Sequence, residues 1–284
     1  MRELSFEVWD VFTDTPFAGN PLAIVTEADD LSTAQMQTLA RQFNLSETIF
    51  LMAPRDPANT ARARIFFPTA EIPFAGHPTV GASLFLARRD GLSHVALEEE
   101  AGLVPVDIAD GSATFTAPVL PAPRGGPVSP QLCADALGLA VDEIGPHAPA
   151  AFAGGPAFAF VPVRTREALS RARPQEPAWS ALMAASEVDS GWIYAPDLDA
   201  RMFSPTAGIP EDPATGSACA ILAAQLLANG ALPEGHSIHA IRQGEDMGRP
   251  SSIMMQAWVE HGVLAKAAIT GRAVPVSRGT IRIP

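Results

Sequence analysis

The feature that most constrains this chain is an internal repeat. Arg64-Ile65-Phe66-Phe67-Pro68-Thr69-Ala70-Glu71-Ile72-Pro73 recurs 137 residues later as Arg201-Met202-Phe203-Ser204-Pro205-Thr206-Ala207-Gly208-Ile209-Pro210, without a gap and with seven of ten positions identical. The spacing is about half of the 284 residues. That is too long for a solenoid unit, and two copies are too few. The repeat therefore predicts a duplicated domain, in a chain long enough for two cores of ordinary size. Each copy reads as a strand entering a Pro-rich turn that opens a helix. The first helix is expected to start near Pro78. The second is expected to start near Pro213 and to run through Ser217-Ala218-Cys219-Ala220-Ile221-Leu222 to Asn229-Gly230. Pro suits a first helical turn and Gly the position just past the end. The second helix is small or apolar on nearly every face, as for a helix surrounded by sheet. The Pro- and Gly-rich stretch 117–127 is the expected junction between the halves.

Around the repeat, Phe6–Val11 and Pro21–Val25 read as strands, with a turn-rich loop between them. Ser32 is a suitable N-cap for a helix that carries Met36, Leu39, Ala40 and Phe43 on one face. The stretch Asn44-Leu45-Ser46-Glu47-Thr48 leads into an apolar strand. The net charge of −12 argues against a nucleic-acid partner, which needs concentrated Lys and Arg. It leaves room for a small anionic substrate held by local backbone dipoles. Two cysteines, Cys133 and Cys219, make no disulfide framework and have no metal-ligand spacing. No apolar run is long enough to span a membrane, and the opening residues do not read as a secretory signal, so a cytoplasmic location is expected.

A strand that ends where a helix begins presents free N–H groups and the positive end of the helix dipole. This pattern occurs twice, at Gly76-His77-Pro78 and at Asp212-Pro213-Ala214-Thr215-Gly216-Ser217. If the halves pack about a pseudo-two-fold axis, both openings can face one cleft and hold a carboxylate or developing enolate without a bound cation. His77 is then a supporting contact to substrate or to a catalytic acid. Asp212 is read as an N-cap that also orients a substrate amine or hydroxyl. Gly76, Gly216 and Ser217 offer helix-opening N–H groups, and Asn20 is as well placed to hold its own loop as to touch a ligand.

Residues 11–25 (Val-Phe-Thr-Asp-Thr-Pro-Phe-Ala-Gly-Asn-Pro-Leu-Ala-Ile-Val), Asn44-Leu45-Ser46-Glu47-Thr48, the run from Arg64 to Thr79 and the run from Gly208 to Ala218 fall in the order and register of one known family. In these four motifs the chain resembles the isomerases typified by the phenazine-biosynthesis enzyme PhzF. The resemblance spans both halves and is weak between about 120 and 195. It implies an α+β architecture, the diaminopimelate-epimerase-like fold, with two pseudo-symmetric domains, each a curled mixed sheet around a central helix. The expected halves are 1–118, completed by the C-terminal segment 268–284, and 119–267. The resemblance also implies a homodimer, no cofactor, and proton-shift chemistry on a small carboxylic acid. The family's catalytic glutamate matches Glu47, and its substrate-contacting residues match His77, Asp212 and Ser217. The chemistry is sensible in itself: moving a proton between carbons needs one group that takes and returns it. A glutamate of ordinary pKa about 4.3 becomes an effective acid at neutral pH once it is desolvated.

Rival readings fare less well. A two-thiol racemase needs cysteines at the two openings, but Ala75-Gly76 and Asp212 stand there; Cys219 reads as a buried helix thiol and Cys133 as part of the linker. A serine hydrolase from Ser217, His77 and Asp212 lacks a nucleophile elbow. His236 and His239 read as loop histidines rather than a metal site. The alternative from another class is a catalytically silent binding or scaffold protein that keeps the fold.

Overall fold

The computed structural model describes residues 2–284 and divides the chain into two compact units, Met1–Pro118 with Ile269–Pro284, and Val119–Ala268. In the first unit, β1 (Glu3–Val11) pairs antiparallel with β2 (Asn20–Val25), which runs parallel to β3 (Glu47–Met52). A parallel pair needs a crossover. Here it is α1 (Thr33–Phe43), opened by a capping box between Ser32 and Gln35. Its Met36, Leu39 and Ala40 pack with Val25, Phe50 and Phe66.

The chain continues through β4 (Ala61–Phe66), antiparallel to β3, and the short β5 (Glu71–Ile72). After α2 (Gly76–Asp90), β6 (His94–Glu99) returns parallel to β4, and β7 (Gly102–Ala109) and β8 (Ser112–Thr116) follow as antiparallel hairpins. The C-terminal strand (Val263–Arg282) pairs with both β1 and β8 and closes the ring. Inside it, α2 packs against β1, β2, β3, β6, β7 and β8, and every residue from Gly76 to Ala87 is buried. A Cβ on Gly81 would lie 2.5 Å from a Leu22 methyl, so the close approach of helix and sheet requires glycine there. Burying Val80, Leu84, Phe85 and Leu86 stabilises the unit by roughly 1.5–3 kcal/mol each.

The second unit repeats the pairing scheme. After β9 (Ala122–Arg124) and β10 (Ala150–Ala153), β11 (Ala157–Pro162) runs parallel to β12 (Gly191–Tyr194). Next, β13 (Asp199–Ser204) is antiparallel to β12 and carries β14 (Ile209–Asp212). Then β15 (Gly235–Gln243) runs parallel to β13, with β16 (Ser251–Glu260) antiparallel to it. This is the order of β2 to β7. Three helices, α3 (Pro130–Leu137), α4 (Arg166–Arg171) and α5 (Ala178–Ser186), join a core built on Leu137, Leu169, Trp179 and Phe203. The buried α6 (Gly216–Ala228) packs against β10, β11 and β16.

The repeat's two arginines explain its persistence. Arg64 grips Glu71 with two bonds of 2.6 Å, and Arg201 grips Glu211 with two of 2.7 Å, so each clamps a hairpin that leads to a central helix. Glu71 aligns with Gly208; the second carboxylate comes instead from three residues later, across an irregular register between Met202 and Ser204. Arg201 is buried and also donates to the carbonyls of Leu169, Ser170 and Ala172.

Several expectations need correction. The first central helix begins at Gly76 with Pro78 in its first turn, as expected, whereas the second begins only at Gly216, three residues past Pro213. The second starts late because Pro213 and Ala214 stay in a turn pinned through Thr215. Cys133 lies buried in α3, not in a linker. His236 and His239 sit on β15; His236 stacks on Trp258 at 4.4 Å, and His239 contacts Ser237. Among the described residues no cluster of His, Cys, Asp and Glu could hold a metal, and no helix is long and apolar enough to cross a membrane.

Candidate active site

In the first unit three sequence signals converge. The loop after β1 is folded tightly: the Asp10 carboxylate accepts from the Phe17 N–H at 2.6 Å, and Thr13 Oγ1 from the Thr15 N–H at 3.0 Å. Gly19 has φ +65°, and a Cβ there would lie 2.3 Å from the Val11 carbonyl oxygen, so only glycine closes this turn. The turn delivers Asn20 to the start of β2. One strand over, Glu47 opens β3 opposite Leu22. The third contribution is His77, in the first turn of α2. It is 2% exposed, and Glu47 is 8% exposed.

His77 Nδ1 lies 2.8 Å from Glu47 Oε2, and its Nε2 lies 3.1 Å from the backbone carbonyl of Asn20. A carbonyl oxygen only accepts, so Nε2 carries a hydrogen. A neutral imidazole then has a bare Nδ1, and the hydrogen on the Nδ1–Oε2 axis belongs to Glu47; alternatively the ring is imidazolium and Glu47 a carboxylate. Either way the pair shares one mobile proton. The sequence placed Glu47, His77, Gly76 and Asn20 as candidates, and the fold brings these four together. Asn20 contributes through its backbone, which no reading of its side chain would reveal.

The second unit holds Asp212, Gly216 and Ser217. Asp212 ends β14 and is not the N-cap of α6; that position is Thr215. The Asp212 carboxylate instead accepts from Thr215 Oγ1 at 2.6 Å. Gln243 ties the turn together, donating to the Asp212 carbonyl at 2.8 Å and to Thr215 Oγ1 at 2.9 Å, while its Oε1 accepts from the Thr215 N–H and from Trp192 Nε1, each at 3.2 Å. Gly216 and half-buried Ser217 form the first turn of α6. Gln243, Thr215 and Trp192 were not foreseen, since their meeting depends on strand pairing across more than 25 residues.

Rival chemistries lose their parts here. Both ring nitrogens of His77 are engaged within the first unit, by Glu47 and by the Asn20 carbonyl, which leaves neither to serve a serine nucleophile. Burial pushes the Cys133 thiol up to about 12, and burial together with Asp212 pushes the Cys219 thiol well above its usual range, so neither is a ready thiolate.

The architecture has close counterparts. A PhzF-family phenazine biosynthesis protein of Bacillus anthracis matches with a TM-score of 0.87 at 24% identity over all of both chains. A predicted epimerase of Pseudomonas aeruginosa matches at 0.83 with 27% identity, over 98% of this chain and 99% of the other. The fold is thus of the α+β, diaminopimelate-epimerase-like class. In sequence, an uncharacterized isomerase of Mesorhizobium japonicum is 40% identical over the whole of both chains. The trans-2,3-dihydro-3-hydroxyanthranilate isomerase of Pseudomonas chlororaphis is 34% identical over 97% of this chain and 98% of its own. Residues 9–279 match the family described as phenazine biosynthesis-like protein, and the chain belongs to that family, an isomerase among PhzF-like isomerases.

Proposed function

We propose that this isomerase works without a cofactor by taking a proton from one carbon of a small carboxylic acid and returning it to another, with Glu47 as the single acid/base. The observation that carries this reading is the Glu47–His77 pair, whose partner carbonyl at Asn20 leaves one proton to be shared. With that proton on His77, Glu47 is a base whose Oε2 is held and whose Oε1 can reach a carbon acid. Once Glu47 has accepted the substrate proton it is the acid that returns it, and the imidazolium beside it offsets the charge that develops on the substrate. One group doing both jobs is what a proton shift demands.

Substrate contacts are assigned to His77, Gly76 and Asn20 in the first unit, and to Asp212, Gly216 and Ser217 in the second. The 34% identical relative acts on trans-2,3-dihydro-3-hydroxyanthranilate, which makes that amino-substituted cyclic acid the first compound to try. The working form is proposed to be a homodimer, which sedimentation equilibrium checks. Deuterium incorporation from heavy water, followed by NMR over this acid and a panel of related carboxylic acids, tests the reading. Exchange at carbon that vanishes in Glu47→Gln supports it, whereas exchange that survives removes Glu47 from the mechanism. Binding with no exchange at all favours the silent scaffold.

A further inference from the structure

Glu99 closes β6 with 7% of its surface exposed, and its Oε2 has no hydrogen-bond partner among the described residues. Its Oε1 lies 2.7 Å from Thr79 Oγ1, and the same hydroxyl lies 2.8 Å from the carbonyl of Ala75. Ala75 is the N-cap of α2, two residues before His77. A hydroxyl has one hydrogen to give. Shared between a carbonyl and a carboxylate it would make two weakened bonds, whereas a hydrogen on the carboxyl group lets both contacts be full hydrogen bonds, and a carbonyl has none to supply.

The duplicated half supplies an independent reading of the same position. Arg62 pairs with Glu98 and Asp199 with Arg242, which makes Glu98 and Arg242 counterparts and, one residue on, Glu99 and Gln243. Arg62 and Asp199 are 137 residues apart, the offset of the repeat. Glu99 and Gln243 are therefore equivalent places on equivalent strands, and each bonds the opening of its central helix. A carboxamide is the neutral, donating analogue of a protonated carboxyl group.

We propose that Glu99 is a positioning residue that works as a neutral acid: it donates to Thr79 Oγ1, Thr79 donates to the Ala75 carbonyl, and this relay fixes the turn that presents His77 to Glu47. Burial pushes the Glu99 carboxyl up to about 8, against the opposing pull of the Thr79 hydroxyl, in keeping with that form. The charged groups on the surrounding elements are engaged elsewhere. Arg62 pairs with Glu100, Arg64 with Glu71 and Arg89 with Asp90; Arg88 lies over Trp9, His94 meets Asp107, and His77 is held on Glu47. Glu98 accepts from Asn59 and from the backbone at Arg55 and Asp56. Ionising Glu99 would make it compete with Ala75 for the hydroxyl hydrogen and loosen the turn under His77.

This inference rests on the proposed role of the Glu47–His77 pair, so its test uses a readout independent of turnover. The ring 15N resonances of His77 are followed by NMR from pH 6 to 9.5 in the wild type, Glu99→Gln, Glu99→Ala and Thr79→Val. The expected result is a wild-type shift with a midpoint near 8, absent in Glu99→Gln, whose neutral-pH spectrum matches the wild type. Glu99→Ala and Thr79→Val should show displaced His77 signals at every pH. In the exchange assay with trans-2,3-dihydro-3-hydroxyanthranilate, Glu99→Ala should lower kcat about tenfold at unchanged KM, the cost of a misplaced catalytic group, while Glu99→Gln stays within about twofold. Identical His77 titrations in wild type and Glu99→Gln, or a Glu99→Gln spectrum displaced like that of Glu99→Ala, would overturn the proposal. Full activity of Glu47→Gln would instead defeat the acid/base reading and leave the NMR result standing.

Discussion

The two halves keep the same scaffold and differ in where ionisable groups stand. Both have an arginine-clamped hairpin leading to a buried helix, and both anchor the helix opening from the strand that follows. In the first unit Phe50 lies opposite Arg64, and in the second Ile193 lies opposite Arg201. Three residues earlier stand Glu47 and Ser190, the latter bonded to Ser204 at 2.8 Å. The helix openings, aligned at Gly76 and Gly216, set His77 against Ser217 and Thr79 against Cys219. Duplication thus preserved what packs and left the acid–imidazole pair in one copy. The second copy ties its turn with the Gln243 amide and with the Thr215 hydroxyl, which donates to the Asp212 carboxylate.

Substitutions that erase this asymmetry test it most severely. Glu47→Gln should fold normally and lose at least about 10² in turnover, read by deuterium exchange alongside circular dichroism, and Ser190→Glu should not restore it. The clamps should differ next. Arg201 is buried and serves three carbonyls besides Glu211, so Arg201→Met should cost about 3–5 kcal/mol in urea unfolding by stranding a carboxylate and its neighbours. Arg64→Met, at the more exposed pair, should cost about 1–2 kcal/mol.

Glu99 and Gln243 separate the halves by pH. The Glu99 pKa is raised in the folded protein, so the native state holds its proton longer than the unfolded chain does. Stability should be fully present below the ordinary glutamate range and should fall as pH rises from there through about 8. Glu99→Gln should remove that decline, worth a few kcal/mol at most, as measured by urea midpoints at pH 5 and pH 8.5. Asp212→Asn, which retains an acceptor for Thr215, should raise KM several-fold with kcat nearly unchanged if its role is uniform substrate binding. The smallest effect belongs to Ser190→Ala, which removes one hydroxyl bond and should shift stability by about 1 kcal/mol or less.

Most of the framework was legible in the residues, and the exceptions are instructive. Ser32 announced α1 because an N-cap is a local event, and Gly19 marked a turn because only glycine tolerates the carbonyl of Val11 so near. Asp212 misled for the same reason. An aspartate before a helix reads as a cap, yet Gln243, 31 residues away, holds the turn open until Thr215. The histidines at 236 and 239 read as loop residues because Gly and Pro flank them, whereas pairing with β16 makes that stretch a strand.

By itself the sequence determined that the chain is a duplication, that each copy runs a strand through a Pro-rich turn into a buried helix, and that Glu47, His77 and Asp212 belong to its motifs. The strand–turn–helix units depend on backbone geometry and periodicity over a few neighbouring residues, the duplication shows as identity at a fixed offset, and Glu47 was singled out by the resemblance of its motif to a known family. Only the tertiary structure decided who shares a proton with whom. The Asn20 carbonyl that sets the ring of His77 and the Glu99 carboxyl that meets Thr79 depend on how the strands seat against the central helix, and the equivalence of Glu99 with Gln243 depends on strand register. Register is a long-range property, because hydrogen bonds between strands join residues that the chain keeps far apart.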